Sequence, residues 1–199
     1  MKKMIAFSIT IILLAGIFGI NSLRSQEGSD QDKMMQMMMK YGTPGELHKK
    51  LEAMVGNWNF ITRWWAEAGA PPEESKGTSV NKWILGGRFV QEDITGDMMG
   101  QPFHGMGITG YDNYNQKYQY LWIDEMATCF MIADGTIDNS GKIITFEGTY
   151  DDYMTGQKDK EFKSIIKLID NDTRIYQAYD HAPDGKEYLS FEVAYKRAK

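Results

Sequence analysis

Soft metal ligands lie close together in residues 96–112, GDMMGQPFHGMGITGYD. Met98 and Met99 are followed there by His104 and Met106. Thioether sulfur is a soft ligand that suits Cu(I), and two strand residues that are two apart project to the same side. One hypothesis is therefore a copper-handling protein. A lone histidine among methionines more often packs and makes one hydrogen bond, and this role is the alternative.

A second group of methionines lies earlier in the chain. Residues 26–42 are polar at first and then rich in methionine, and we predict a mobile arm that is helical in part. Its thioethers could bind Cu(I), but no histidine or cysteine lies among them. The alternative is a flexible apolar strip that packs on a protein surface. The methionines of this arm are Met34, Met35, Met37, Met38 and Met39.

Carboxylates that occur within alternating segments could act as an acid and a base. Glu92 lies two residues from both Val90 and Ile94, so its side chain is expected on the same side of a strand as these apolar residues. Most carboxylates of a protein nevertheless face water. We therefore keep, as an alternative, an enzyme that uses interior carboxylates or His104 for acid–base chemistry.

Other catalytic and metal-binding patterns are missing from the sequence. Cys129 is the single cysteine, and it lies in an apolar run with no visible base to activate it. His48, His104 and His181 do not show H-x-H or H-E-x-x-H spacing. There is no G-x-S-x-G and no G-x-x-x-x-G-K motif. The sequence predicts no catalytic residue, no zinc site and no cofactor, and it favours a binding protein over an enzyme.

Aromatic residues at alternating positions give a better indication of function. Tyr120 and Trp122 share one parity in YQYLWID, and Trp58 begins a similar pattern in NWNFITRWW. Aromatic walls with a few polar groups are typical of small-molecule pockets, and a solidly packed aromatic core is the alternative. Arg88 could bind a ligand carboxylate. It follows a Gly-Gly turn, where the mouth of a barrel would lie.

The elements that must position these residues are mostly strands. Apolar and polar residues alternate from Gly56 onward, and this period of two is typical of strands with one buried face. The turns between them are too short for a crossover helix, so neighbouring strands must be antiparallel. We predict ten strands near residues 57–66, 74–85, 88–95, 103–111, 117–125, 127–137, 142–151, 160–169, 173–180 and 187–197. Such a meander removes its exposed edges by closing into a barrel.

One short amphipathic helix is predicted before the strands, over residues 44–55. Thr43 is suited to cap it, Pro44 to its first position, and Glu46 would complete a capping box. Leu47 and Leu51 fall on one face. This helix is expected to plug or flank one mouth of the barrel.

Residues 1–25 have the pattern of a secretory signal peptide. Lys2 and Lys3 precede an uncharged apolar run that ends near Ile20, and the following residues are polar. We predict cleavage after Ser25, which would export the protein to the periplasm or the medium. An uncleaved anchor is the alternative, although the apolar run is shorter than the ~20 residues of a usual spanning helix. After cleavage we expect no stable membrane insertion.

The charge of the processed chain excludes several partners. The full chain has a formal net charge of −5. Residues 1–25 contain three basic residues and no acidic one, so their removal leaves a net charge of −8. An acidic protein lacks the basic footprint of nucleic-acid binding. We therefore expect neither nucleic acid nor anionic lipid as a partner, and no pattern in the sequence indicates an oligomeric state.

Long stretches of the chain resemble a known bacterial family. The run GTSVNKWILGGRFVQEDITGDMMGQPFHGMGITGYDNYNQKY, followed by LWID, GTYDDYMTG and PDGKE, is similar to the domain-of-unknown-function family 1579. The resemblance covers residues 41–197 and excludes the arm at 26–40. It implies a lipocalin-like (calycin) β-barrel, and it implies no established activity and no catalytic residues.

The combined expectation is an all-β protein in three parts. Residues 1–25 are the signal peptide, residues 26–42 are the methionine-rich arm, and residues 43–199 are an antiparallel lipocalin-like β-barrel. The predicted function is to bind a small, largely apolar molecule in the lumen. The predicted ligand-binding residues are Trp58, Arg88, Glu92, His104, Met106, Tyr120 and Trp122.

Overall fold

The computed structural model describes residues 29–199. The predicted signal peptide lies outside these residues. The chain divides into a unit that ends at Thr43 and a unit formed by Pro44–Lys199. In the first unit, residues 29–42 form a helix, α1, with exposed methionine side chains. Among the described residues, no helix combines the length and the apolar character that crossing a membrane would require.

The second unit is a closed antiparallel β-barrel of ten strands, as the alternation predicted. Each strand pairs with the next one along the chain, and β1 pairs with β10 to close the barrel. The strands are β1 Gly56–Trp64, β2 Glu73–Ile84, β3 Phe89–Met98, β4 Gln101–Asp112, β5 Lys117–Asp124, β6 Met131–Ile137, β7 Ile143–Asp152, β8 Gln157–Asp170, β9 Thr173–His181 and β10 Glu187–Arg197.

The hairpin between β3 and β4 is tighter than the sequence suggested. We predicted a long turn over residues 96–102, whereas only Met99 and Gly100 lie between the two strands. Both residues have positive φ, 53° and 77°, which is typical of a two-residue hairpin turn. Asp97 supports this turn, because its carboxylate accepts the Gly100 N–H at 2.8 Å.

The strand prediction was also too long at β6. We placed residues 127–130 in that strand, but β6 begins at Met131 and residues 125–130 form a loop. The apolar character of this segment misled the prediction, since Phe130 and Cys129 are exposed. Periodicity alone does not distinguish an apolar loop from a strand.

The helix before the barrel is shorter and begins later than predicted. An α-helical turn, α2, covers Glu46–Lys49, and a 3₁₀ helix continues over Lys50–Met54. The N-cap is Gly45 rather than Thr43, and its N–H donates to Nδ1 of His48 at 3.0 Å. Thr43 instead follows the preceding helix, where its N–H donates to the Met39 carbonyl at 3.2 Å.

These two helical turns plug one end of the barrel. Leu51 and Met54 are fully buried against Tyr118, Ile144 and Phe146 on the inner faces of the strands. Complete burial of one such side chain contributes about 1.5–3 kcal/mol. The plugged end is the one where β5 and β7 begin, so the opposite rim is formed by the ends of β3 and β5 and the starts of β4 and β6.

Candidate functional site

The barrel contains a cavity of about 250 Å³ in the half away from the plug. It extends from the interior to the opposite rim, which Met98, Asp124 and Met131 reach from three different strands. Its remaining lining is largely aromatic and aliphatic. These apolar lining residues are Phe60, Ile94, Phe103, Tyr120, Trp122, Phe162, Ile166, Tyr176, Ala178, Phe191, Val193 and Tyr195.

The indole of Trp122 forms one wall by lying against glycines of the neighbouring strand. Trp122 pairs with Gly107 across β4 and β5, and its ring also covers Gly105. A Cβ at Gly105 would overlap the ring, whereas a Cβ at Gly107 would lie at an ordinary 3.4 Å from it. Trp122 Nε1 donates to an Asp124 carboxylate oxygen at 2.7 Å, which fixes the orientation of the indole. The missing Cβ therefore lets a large ring lie along the wall, and space remains at the centre.

A buried ion pair lies at the inner end of the cavity. Arg174 Nη2 donates to Glu92 Oε1 at 2.5 Å, and Ser79 Oγ donates to the same oxygen at 2.8 Å. The Arg174 side chain is only 2% exposed. In so dry a place each charge depends on the other, because an unpaired buried charge is strongly unfavourable.

Aromatic rings hold Arg174 in place. The centre of its guanidinium lies 3.5 Å from the Tyr195 ring centroid and 5.1 Å from that of Trp58. Such cation–π contacts are worth about 2 kcal/mol when they are desolvated. Burial is the largest single influence and lowers the pKa of the guanidinium, but Glu92, Tyr195 and Tyr120 together raise it by more, so the net shift is upward. Arg174 is therefore a fixed cation.

Three tyrosines surround the ion pair and line the cavity. Burial, above all, raises the pKa of the Tyr120 and Tyr195 hydroxyls well above 10, and it raises that of Tyr176 to about 12. All three hydroxyls are consequently protonated at neutral pH and can donate hydrogen bonds. The Tyr120 side chain, 8% exposed, makes no hydrogen bond to any residue of the described part of the chain.

The rim of the cavity is acidic. Asp97 and Asp124 both belong to its lining, and each carboxylate accepts one backbone N–H, from Gly100 and Met126 respectively, at 2.8 Å. Together with Glu92 and Arg174 they are the charged side chains of the lining. Their formal charges sum to −2.

Three of the seven predicted binding residues line this cavity. Glu92, Tyr120 and Trp122 project inward, in agreement with the parity of their strands. Glu92 forms the buried ion pair, Tyr120 lies at its side, and Trp122 forms a wall. The structure thus brings an acid, a phenol and an indole from β3 and β5 to one place.

The other four predicted residues lie elsewhere. Trp58 is buried below the cavity, where Nε1 donates to the Met54 carbonyl at 2.9 Å. Arg88 follows the β2–β3 turn at the plugged end, and Nη1 donates to the Leu85 carbonyl at 3.0 Å. The expected mouth near Arg88 is the end that the plug covers. His104 and Met106 alternate with the inward-facing glycines of β4 and so lie on its outer face.

The proposed acid–base and copper combinations are not assembled inside the barrel. His104 is exposed and outside the cavity, whereas Glu92 is inside it. Met98 lines the cavity, whereas Met106 is on the outer face of β4. Residues 29–199 hold no group of three or more histidine, cysteine, aspartate or glutamate side chains placed to share a metal ion.

Sequence reasoning missed the cation at the inner end of the cavity. Arg174 and Tyr176 alternate with Ala178 along β9, and all three line the cavity. Arg174 and Tyr176 are two residues apart in TRIYQAY, so their side chains lie on the same face of the strand. This spacing could have identified Arg174 as an inward-facing residue. A charged residue on the inward parity of a strand requires a buried partner, and Glu92 was the available candidate.

The closed antiparallel wall and the cavity inside it define a lipocalin-like β-barrel protein. The chain belongs to the protein family of unknown function DUF1579, whose model matches residues 43–197. No curated protein matches the sequence.

Several solved structures resemble the barrel, and two of them illustrate the resemblance. Rv2717c from M. tuberculosis has a TM-score of 0.55 and 13% identity, with 79% of this chain and 100% of that chain covered. The S-type phycobiliprotein lyase CPES from Guillardia theta has a TM-score of 0.53 and 12% identity, with 78% and 99% covered. At these identities the resemblance concerns the fold.

Proposed function

We propose that this protein binds a small, largely apolar molecule inside its barrel. The observation that carries the proposal is the 250 Å³ cavity, which is lined mainly by aromatic and aliphatic side chains and reaches the barrel rim. Small-molecule sites typically combine apolar walls with a few placed polar groups. Here the polar groups are the Glu92–Arg174 pair and the tyrosines around it.

The volume sets the size of the ligand. A dry protein cavity of about 150 Å³ accommodates benzene. By the same proportion, 250 Å³ holds about ten non-hydrogen atoms. The buried part of the ligand would therefore be comparable to two fused rings or a chain of similar length. A longer molecule would extend past the rim.

A ligand screen with a cavity-filling variant tests the proposal. Uncharged lipids, quinones and aromatic ketones are screened by thermal shift and native mass spectrometry. Ala178→Phe places a phenyl ring in the cavity, because Ala178 is part of its lining. Ala194→Phe is the matched control, because Ala194 alternates with the inward-facing Val193 and Tyr195 on β10 and so faces outward.

We expect at least one ligand class to raise the melting temperature of the parent protein and of Ala194→Phe, but not of Ala178→Phe. Equal binding by both variants would place the ligand outside the cavity. A complete lack of stabilisation, together with protein that carries no bound molecule from its native host, would refute the proposal.

We further propose that the protein is exported and works after removal of residues 1–25. The basic start and apolar run of the sequence support this proposal. Expression of the full chain in a bacterial host, followed by fractionation and intact-mass measurement, tests it. We expect a soluble periplasmic or secreted product that begins at Gln26. A membrane-bound product of full mass would support the uncleaved anchor instead.

A further inference from the structure

The charges of the cavity lining argue against one common class of ligand, namely largely apolar molecules that carry an anionic group. Lipid carriers often bind anions, and a bound carboxylate or phosphate needs a cation to compensate its buried charge. The described lining holds one cation, Arg174, against three carboxylates. An incoming anion would therefore meet a site whose formal charge is already −2.

Arg174 is already paired with a carboxylate, and its Nε, which has no hydrogen-bond partner among the described residues, is fully buried. Its Nη2 donates to Glu92 Oε1, and its guanidinium lies 3.5 Å from the Tyr195 ring centroid. Glu92 thus already supplies the carboxylate that compensates the charge of this guanidinium. Displacing Glu92 would leave that carboxylate buried without its cation, at high energetic cost.

At the inner end of the cavity, the polar group that remains for a ligand is a donor. The Tyr120 hydroxyl lies in the lining without a hydrogen bond to the described residues. Tyr176 and Tyr195 also line the cavity, but their hydroxyls already interact with Ser164 and Glu92 respectively. A phenolic O–H directed at an apolar ligand would lose a hydrogen bond, whereas a carbonyl or ether oxygen would accept one.

We propose that the cavity selects molecules whose buried end is an uncharged hydrogen-bond acceptor, such as a ketone, quinone or ether, and that it rejects carboxylates of the same shape. This inference rests on the proposed function, since it names the chemical class of the ligand at that same site.

Three naphthalene derivatives of similar size test the selectivity. 2-Acetonaphthone offers a neutral acceptor, 2-naphthoate offers a carboxylate that is ionised at about pH 7, and 2-ethylnaphthalene offers neither. Their affinities are measured by isothermal titration calorimetry on the mature protein. We expect the ketone to bind at least about tenfold more tightly than the carboxylate, which corresponds to a difference of about 1.4 kcal/mol in binding free energy.

Two substitutions assign this selectivity to named groups. In Tyr120→Phe, the ratio of ketone affinity to ethylnaphthalene affinity should fall about fivefold, because one donor is lost. In Glu92→Gln, Arg174 is left without its carboxylate. The ratio of ketone affinity to naphthoate affinity should then fall at least about tenfold, because the ligand carboxylate can take the place of Glu92.

The outcomes separate this inference from the proposed function. If naphthoate binds the parent protein as tightly as the ketone does, the inference is wrong while ligand binding stands. The parent-protein comparison decides this even if Glu92→Gln does not fold. If Glu92→Gln folds but its ratio is unchanged, the ion pair does not determine selectivity and the inference is wrong. If no naphthalene probe and no compound of the wider screen binds, both proposals fail.

Discussion

At the scale of single residues, the shape of the cavity depends on a glycine of β4, which has no Cβ and so leaves room for an aromatic ring. Gly105 lets the Trp122 indole lie flat on β4, and the hydrogen bond to Asp124 keeps it there. A side chain at this position would push the indole toward the centre of the barrel. The glycines of GMGITG therefore act through close approach between strand and ring, which is a usual reason for glycine within a strand.

We expect Gly105→Ala to destabilise the protein by about 1–3 kcal/mol, as overpacking of a filled site does, and to weaken ligand binding. Gly107→Ala is the matched control on the same strand, since its new Cβ would lie at a normal contact distance. Chemical denaturation and ligand titration measure both effects. Equal behaviour of the two variants would show that the Trp122 contact does not shape the cavity.

The Glu92–Arg174 pair gives a second prediction at this scale. Replacing either partner alone by a residue of similar volume, as in Glu92→Leu or Arg174→Met, should cost about 3–5 kcal/mol because a buried charge is left unpaired. The double substitution should cost much less than the sum of the two, because no charge remains buried. A double-mutant cycle by urea denaturation measures this coupling. Additive costs would contradict a tight buried pair.

At the scale of elements, the plug is fixed by barrel side chains that satisfy its backbone. Tyr118 donates to the Leu47 carbonyl at 2.8 Å, and Trp58 donates to the Met54 carbonyl at 2.9 Å. Arg197 donates to the Val55 carbonyl at 2.7 Å. The last carbonyls of a helix have no partner within it, so these bonds stabilise a helical segment that is too short to be stable alone.

His48 makes the plug sensitive to acid. It is buried beside Tyr111, and Nδ1 accepts the Gly45 N–H. Burial, as the main cause, lowers its pKa below the ordinary 6.5. The unfolded chain therefore takes up a proton at a higher pH than the folded protein does. Stability should be complete well above pH 6.5 and should fall as the pH drops below that value, by at most about 1.4 kcal/mol per pH unit.

Urea denaturation across this pH range measures the effect. His48→Gln cannot titrate but keeps a side-chain acceptor, so its stability should depend less on pH between about 7 and 5. His181→Gln, which changes an exposed histidine at the other end of the barrel, should keep the pH dependence of the parent. An identical pH profile for the parent and His48→Gln would show that His48 does not control the plug.

At the scale of the whole molecule, the barrel is filled at one end and hollow at the other. The plug and the inner aromatic residues occupy the half where β5 begins, and the cavity occupies the half where β5 ends. The plug and the proposed ligand site therefore lie toward different ends of the barrel.

Closure of the barrel also predicts how the protein folds. The first strand pairs with the last, from Trp58↔Arg197 to Trp64↔Phe191, so a large part of the chain must be ordered before the barrel is complete. Proteins with many such distant contacts fold in milliseconds to seconds. We expect stopped-flow refolding, followed by tryptophan fluorescence, to show its main phase in that range. A main phase in microseconds would contradict closure as the slow step.

The sequence predicted much of the architecture because strands follow local rules. The alternation of apolar and polar residues predicted the ends of nine strands to within a few residues, and glycine and aspartate marked the turns between them. Nearest-neighbour pairing followed from the short turns. The same parity placed Glu92, Tyr120 and Trp122 inside the barrel, as the structure shows. It misled at β6, where an apolar segment, residues 127–130, is exposed in a loop, and it left β3 and β4 short of their tight hairpin.

The sequence by itself determined the strand order, because short turns join consecutive strands, and the acidic charge, because composition alone sets it. The tertiary structure decided which end the plug covers, that Arg174 meets Glu92 from across the barrel, and that the outer half is hollow. These features depend on strand tilt, register and packing among residues far apart in the chain. Alternation tells which side chains of a strand share a face, but only the closed barrel decides which face is inward and what those side chains meet there.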